Sequence, residues 1–150
     1  LIGVFNCRYV PIVARAARSL GVKRVLVVHN RSGIDELTTS DRTDVCFVRN
    51  GTTEQFLLDP ADYKFIRCTV EDLQGGTPEE NARITISILG GNQGPKRDTV
   101  VLNAAVALWV AEKTASIEEG IELATDAIDS GQALNKLNAF VQFTKGFCHA

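Results

Sequence analysis

Asp35 and Glu36 are adjacent carboxylates in the segment 29–39, which reads His-Asn-Arg-Ser-Gly-Ile-Asp-Glu-Leu-Thr-Thr. Paired hard oxygen donors suit Mg2+, which takes one or two carboxylates and completes its shell with waters and substrate phosphates. Ile34 and Leu37 flank the pair as apolar anchors, and Ser32 and Gly33 allow a tight backbone before it. Spacing alone leaves a second reading open, in which the pair is a solvated acidic turn. His29 reads as a satisfied strand-end histidine rather than a catalyst. Asn103 could touch a ligand, but reads first as an amide bonded to nearby backbone, since a buried amide needs a partner. Asp98 reads as a helix cap. Gly75 and Gly76 precede a helix start that could hold a phosphate, but Thr77 already caps it, and a simple turn accounts for them.

Three elements must position the loop. Residues 1–5 form an apolar run of strand length, read as a buried strand. Residues 10–20 place Val13, Ala16, Ala17 and Leu20 on one helical face, with Pro11 in the first turn and Gly21 at the C′ position. Residues 24–28 are a second β-branched run. Together they predict a β–α–β unit with parallel strands. The 29–39 loop leaves the C-terminal end of its second strand, where ligands bind in open α/β sheets. Runs at 44–49 and 52–58 flank Asn50-Gly51, a type I′ hairpin signal.

The remainder is predicted helical. Thr77-Pro-Glu-Glu80 is a capping box, and its helix is expected to bury Ala82, Ile86 and Leu89 before Gly90 and Gly91. After a polar loop at 92–97, an apolar helix covers 99–111. Ser116-Ile-Glu-Glu119 is a second capping box, with a stripe of Ile117, Ile121, Ala124 and Ile128 ending at Gly131. A last helix presents Leu134, Leu137 and Val141, and the tail 146–150 is expected to fray.

The 150 residues are 45% hydrophobic and 23% charged, with a net charge of −2. That is ordinary globular usage with no basic stripe, which argues against nucleic-acid and membrane-surface partners. The longest apolar stretch is too short to span a bilayer. Cys7, Cys46, Cys68 and Cys148 show no CxxC spacing, so a zinc site or disulfide framework is not expected and a reduced compartment fits. No dinucleotide fingerprint, Walker loop, HExxH or GxSxG is present. The chain opens on Leu1 and contains no Met, and we expect that residues preceded Leu1 in the parent protein.

Several ordered motifs resemble the anthranilate phosphoribosyltransferase family. They are Leu-Ile-Gly-Val-Phe at 1–5, Val-Leu-Val-Val-His at 25–29, Gly-Ile-Asp-Glu-Leu at 33–37 and Gly-Gly-Thr-Pro-Glu-Glu-Asn-Ala at 75–82. Gly-Pro-Lys-Arg-Asp at 94–98, Val-Leu-Asn-Ala-Ala at 101–105 and Ala-Ile-Asp-Ser-Gly at 127–131 complete the set. Each is weak alone, but in order they cover nearly the whole chain.

The resemblance implies the C-terminal part of a large α/β domain of the nucleoside phosphorylase/phosphoribosyltransferase type, a parallel sheet with an antiparallel hairpin and flanking helices. It implies conversion of anthranilate and phosphoribosyl pyrophosphate to N-(5-phosphoribosyl)anthranilate and pyrophosphate, in tryptophan biosynthesis, with Mg2+ as cofactor. The family's metal-binding pair falls on Asp35 and Glu36. A homodimer formed through an N-terminal helical domain, and a cytoplasmic or plastid location, are implied as well.

The family's glycine-rich diphosphate loop, its Lys-His-Gly-Asn segment and its anthranilate-binding arginine have no counterpart in these residues. The family carries all three upstream of the strand at 1–5, so the chain is expected to be a partial enzyme, inactive alone. The family's His-Gly is replaced by His29-Asn-Arg-Ser32. Asn30 can take the positive φ of the replaced glycine, and Arg31 reads as a solvated charge, with a phosphate contact as the alternative. Two other readings are a nucleoside phosphorylase-like enzyme and a non-catalytic or nucleic-acid-binding relative. The Gly-Ile-Asp-Glu loop and the Asn-Ala-Ala helix oppose the former; the acidic balance opposes nucleic-acid binding.

Overall fold

In the computed structural model, which describes residues 1–146, β1 (Ile2–Gly3) runs parallel to β2 (Arg24–Asn30). The crossover between them is α1 (Val10–Ser19). This helix ends because Gly21 adopts φ 78°. Its N–H then reaches the Arg18 carbonyl and that of Val22 reaches Ala17, each at 3.0 Å, which satisfies carbonyls the helix end would orphan. Next, β2 pairs antiparallel with β3 (Thr43–Arg49), which pairs antiparallel with β4 (Thr52–Leu58). Asn50 and Gly51 at φ 51° and 79° make the hairpin turn, as type I′ geometry requires. The sheet order is β1-β2-β3-β4, so the parallel component is confined to one pair.

The pleat of β2 and β3 divides the core. Val25, Val27, Cys46 and Val48 meet Val10, Ala14 and Ala17 of α1. Leu26, Val28, Val45 and Phe47 meet Leu102, Ala105 and Val106 of α3 (Pro95–Val110) on the other face. Alternate side chains of one strand therefore serve two helical layers. Beyond α3 lie α4 (Ile117–Asp129) and α5 (Gln132–Lys145), with α2 (Pro78–Leu89) along their flank. At the α3–α4 crossing, Gly120 lies so close that a Cβ there would stand 2.6 Å from the Ala105 carbonyl oxygen. Buried Arg97 ties α3 to α4 through Asp129 at 2.6 Å.

Several expectations from sequence are corrected. The strand at 1–5 contracts to Ile2–Gly3, with Leu1, Ile2 and Phe5 exposed, because β1 lies at the sheet edge. The buried face of α1 is Val10, Ala14 and Ala17, whereas Ala16 and Leu20 are exposed. These three residues also form one helical stripe, and the two alanines let the helix approach the sheet closely. α2 buries none of its residues: Ala82 and Ile86 are exposed, and Ile84, Ser87, Ile88 and Leu89 are half-buried. Asp98 does not cap α3; Pro95 starts the helix earlier, with Gly94 as N-cap. Val141 of α5 is exposed, while Leu134 and Leu137 are half-buried.

Both predicted N-caps form. Thr77 and Glu80 close a full capping box. Ser116 accepts from the Glu119 N–H at 3.2 Å, but the Glu119 carboxylate reaches back to the Ala115 N–H, one residue past the Ser116 N–H that would close the box. The α4 stripe is as expected, with Ile117, Ala124 and Ile128 buried and Ile121 half-buried. Cys7, Cys46 and Cys68 are free thiols. The expected fraying of the tail, and Cys148, lie outside the described residues apart from Gly146. No helix among the described residues is long and apolar enough to cross a membrane.

Candidate functional site

The end of β2 organises the site. His29 is buried and its Nδ1 lies 2.9 Å from the Val4 carbonyl oxygen. A carbonyl only accepts, so Nδ1 carries the proton and donates, and the histidine is the satisfied strand-end residue expected. Asn30 is fully buried and extended within β2. Its Nδ2 donates to the Asp41 carbonyl at 2.9 Å and to Thr43 Oγ1 at 3.0 Å, and its Oδ1 accepts from the Ser32 N–H at 3.0 Å. Asn30 is thus a side-chain hub, not the positive-φ residue of the turn. That conformation falls on Gly33, at φ 93°, where an L side chain would be strained.

The loop then drops Leu37 into the core at 0% exposure, with Ile34 half-buried, while Asp35 and Glu36 stay exposed between them. The apolar anchors behave as the sequence implied. Two backbone grips fix the pair. On one side, a Cβ on Gly3 would lie 1.4 Å from the Asp35 carbonyl oxygen, so only glycine admits the loop there. On the other, Asn103 of α3 accepts from the Leu37 N–H at 3.3 Å and donates to the Leu37 carbonyl at 2.6 Å and the Thr99 carbonyl at 2.8 Å. Asn103 is therefore bonded to backbone, as read from its buried position. The side chains of Asp35 and Glu36 take part in no hydrogen bond or ion pair among the described residues.

Both carboxylates line a cleft of about 590 Å³. Thr38, Asn81, Lys96 and Thr99 line the same cleft. Lys96 Nζ donates to the Asp72 carbonyl, and Thr99 Oγ1 is buried without a hydrogen-bond partner among the described residues. The Gly75–Gly76 turn is held by Asn81, whose Oδ1 accepts from the Gly76 N–H at 2.8 Å and whose Nδ2 donates to the Gly76 carbonyl at 3.0 Å. It is a clamped turn whose amide is already occupied. Arg31 points elsewhere, paired with Asp44 at 2.8 Å and half-exposed. That carboxylate raises the guanidinium pKa further.

No three His, Cys, Asp or Glu side chains converge as a cation cage among the described residues. Two unengaged carboxylates on a held backbone instead suit a hard cation that keeps positions open for water and phosphate. Elsewhere on α3, burial pushes the Asp98 carboxyl above its usual range, with Arg97 opposing. Gly3, the Asn30 hub and Asn81 went unread in the sequence as site-shaping residues. The only local signals were a glycine within an apolar run and amides at element ends.

The fold and the loop together define a class of protein. Residues 1–134 match the model of the glycosyl transferase family, a/b domain, and the chain belongs to that family. It is similar to the anthranilate phosphoribosyltransferase of Acetivibrio thermocellus, 47% identical over 98% of this chain and 43% of the relative. The corresponding protein of Methanobrevibacter smithii is 45% identical over 96% of this chain and 43% of its own length. The chain thus spans less than half the length of these relatives. Among solved structures, the anthranilate phosphoribosyltransferase of Thermus thermophilus superposes with a TM-score of 0.86 at 37% identity, covering 95% of this chain and 42% of that one. The Saccharomyces cerevisiae protein in complex with PRPP and Mg gives 0.84 at 27% identity, covering 93% and 41%.

Proposed function

We propose that the chain is the C-terminal α/β part of an anthranilate phosphoribosyltransferase, with Asp35 and Glu36 as its Mg2+-binding residues. The observation that carries this reading is the unengaged pair, held on a gripped backbone past the end of β2 and facing a cleft. The similarity to anthranilate phosphoribosyltransferases and the PRPP- and Mg-bound yeast structure support it.

In this reaction the amine nitrogen of anthranilate bonds to the anomeric carbon of phosphoribosyl pyrophosphate. The bond from that carbon to the pyrophosphate oxygen breaks, and the amine proton passes to solvent. When bound, Mg2+ neutralises charge on the departing pyrophosphate. Asp35 and Glu36 would hold the ion and need not act as bases, because the aromatic amine is already nucleophilic. Lys96, which lines the same cleft, adds positive charge there. The groups that grip diphosphate and anthranilate would come from the rest of the protein. So would a helical domain that forms a homodimer; a cytoplasmic or plastid setting completes the proposal.

The test compares the purified 150-residue chain with the complete protein, following pyrophosphate release from phosphoribosyl pyrophosphate, anthranilate and Mg2+. The chain alone should give no product and the complete protein should turn over; product from the chain alone would overturn the partial-enzyme reading. Asp35→Asn with Glu36→Gln in the complete protein should lower turnover sharply with unchanged circular dichroism. An unaltered Mg2+ dependence in that variant would overturn the metal assignment.

A further inference from the structure

We infer that Asn103 is a positioning residue for the Asp35–Glu36 pair: from the middle of α3 it sets the backbone from which the carboxylates project. The inference rests on the metal reading above and extends it to a residue that touches neither metal nor substrate.

The Leu37 N–H belongs to the same planar peptide unit as the Glu36 carbonyl. By accepting from that N–H at 3.3 Å, Asn103 Oδ1 holds the peptide plane that follows Glu36. Its Nδ2 donates to the Leu37 carbonyl at 2.6 Å, which fixes the next plane. The amide cannot swivel, because Nδ2 also donates to the Thr99 carbonyl one turn back, at 2.8 Å. At the other end of the pair, Gly3 packs against the Asp35 carbonyl. The two carboxylates therefore sit on a backbone gripped from both sides, with no other constraint on their side chains.

The same helix lines the cleft. Lys96 and Thr99 of α3 line the same cleft as Asp35 and Glu36. Asn103 thus ties the acidic loop to the helix that carries Lys96, so the loop cannot shift relative to Lys96 without breaking these bonds. Leu37 is wholly buried, and without Asn103 its N–H and carbonyl would lack these partners in the core.

The experiment uses the chain itself and Mn2+ alone as probe, reading paramagnetic broadening of the Asp35 and Glu36 amide signals. In Asn103→Ala, the Mn2+ concentration for half-broadening should rise roughly tenfold, the lower end of what losing an outer partner costs a metal site. Far-ultraviolet circular dichroism and the amide shifts of β3 and β4 should stay in place. Asn103→Ser, whose hydroxyl can still bond the Thr99 carbonyl but is too short to span to Leu37, should behave alike and serves if the alanine variant misfolds. Unchanged Mn2+ response in a folded variant, with wild type responding, would overturn the positioning role alone. Absence of any response in wild type would overturn the metal reading, and this inference with it.

Discussion

The carbonyl oxygen of Asp35 occupies the space where a side chain on Gly3 would begin. A Cβ there would lie 1.4 Å from that oxygen and 2.5 Å from its carbon. Backbone cannot move aside as a flexible side chain can. Gly3→Ala should therefore displace the loop or part β1 from β2. We expect a stability loss of about 1–3 kcal/mol, the usual range for overpacking. Urea denaturation would measure it, and the amide shifts of Asp35 and Val27 should move together. An unshifted Asp35 signal would contradict the contact.

Asn30→Ala should loosen the loop without touching its carboxylates. Asn30 is fully buried and its amide serves Ser32, Asp41 and Thr43. Each buried group left unpaired costs about 1–3 kcal/mol, and some will recover water because Ser32 and Asp41 lie near the surface. A loss of about 2–3 kcal/mol by chemical denaturation is expected. Amide exchange at Ser32 should quicken while exchange at Phe47 follows only the global stability.

Gly120→Ala sets two effects against each other. Alanine favours a helix interior over glycine by up to about 1 kcal/mol. At this position its Cβ would meet the Ala105 carbonyl oxygen at 2.6 Å and its Cα at 2.9 Å. Overpacking against backbone costs about 1–3 kcal/mol, so the clash should win. A lower thermal midpoint is the expected outcome, and a raised one would show that α4 can slide on α3 without loss.

Asp98 should make the fold less stable as pH rises. Burial raises its folded pKa above the ordinary value of 3.8, with Arg97 opposing. The folded state therefore binds the proton more tightly than the unfolded chain, and its contribution weakens as pH climbs from near 3.8 through the raised folded value. Asp98→Asn should flatten that part of the stability profile and stabilise the protein at neutral pH. An unchanged slope in pH-dependent urea denaturation would contradict the assignment.

Local signals in the sequence were faithful where one residue's conformational freedom decides the outcome. Asn50-Gly51 turns the hairpin and Gly21 stops α1, because both need positive φ. Thr77 and Ser116 start their helices as expected, because capping uses neighbours in the chain. Faces were less legible. Of the expected α1 face Val13, Ala16, Ala17 and Leu20, the sheet covers Ala17 and part of Val13, adds Val10 and Ala14, and leaves Ala16 and Leu20 exposed. Ala82 and Ile86 of α2 and Val141 of α5 stay exposed for the same reason: periodicity shows that a stripe exists, not whether anything covers it.

By itself, the sequence determined the β–α–β unit, the hairpin, the cap chemistry and the presence of an acidic pair between two apolar anchors. It also carried the ordered motifs that match the glycosyl transferase family over residues 1–134. Tertiary structure alone decided how that pair is held. Gly3 lies 32 positions before Asp35 and Asn103 lies 66 after Leu37, and no local pattern links them. The link is steric and hydrogen-bonded, so it exists only once β1 and α3 are packed on either side of the loop.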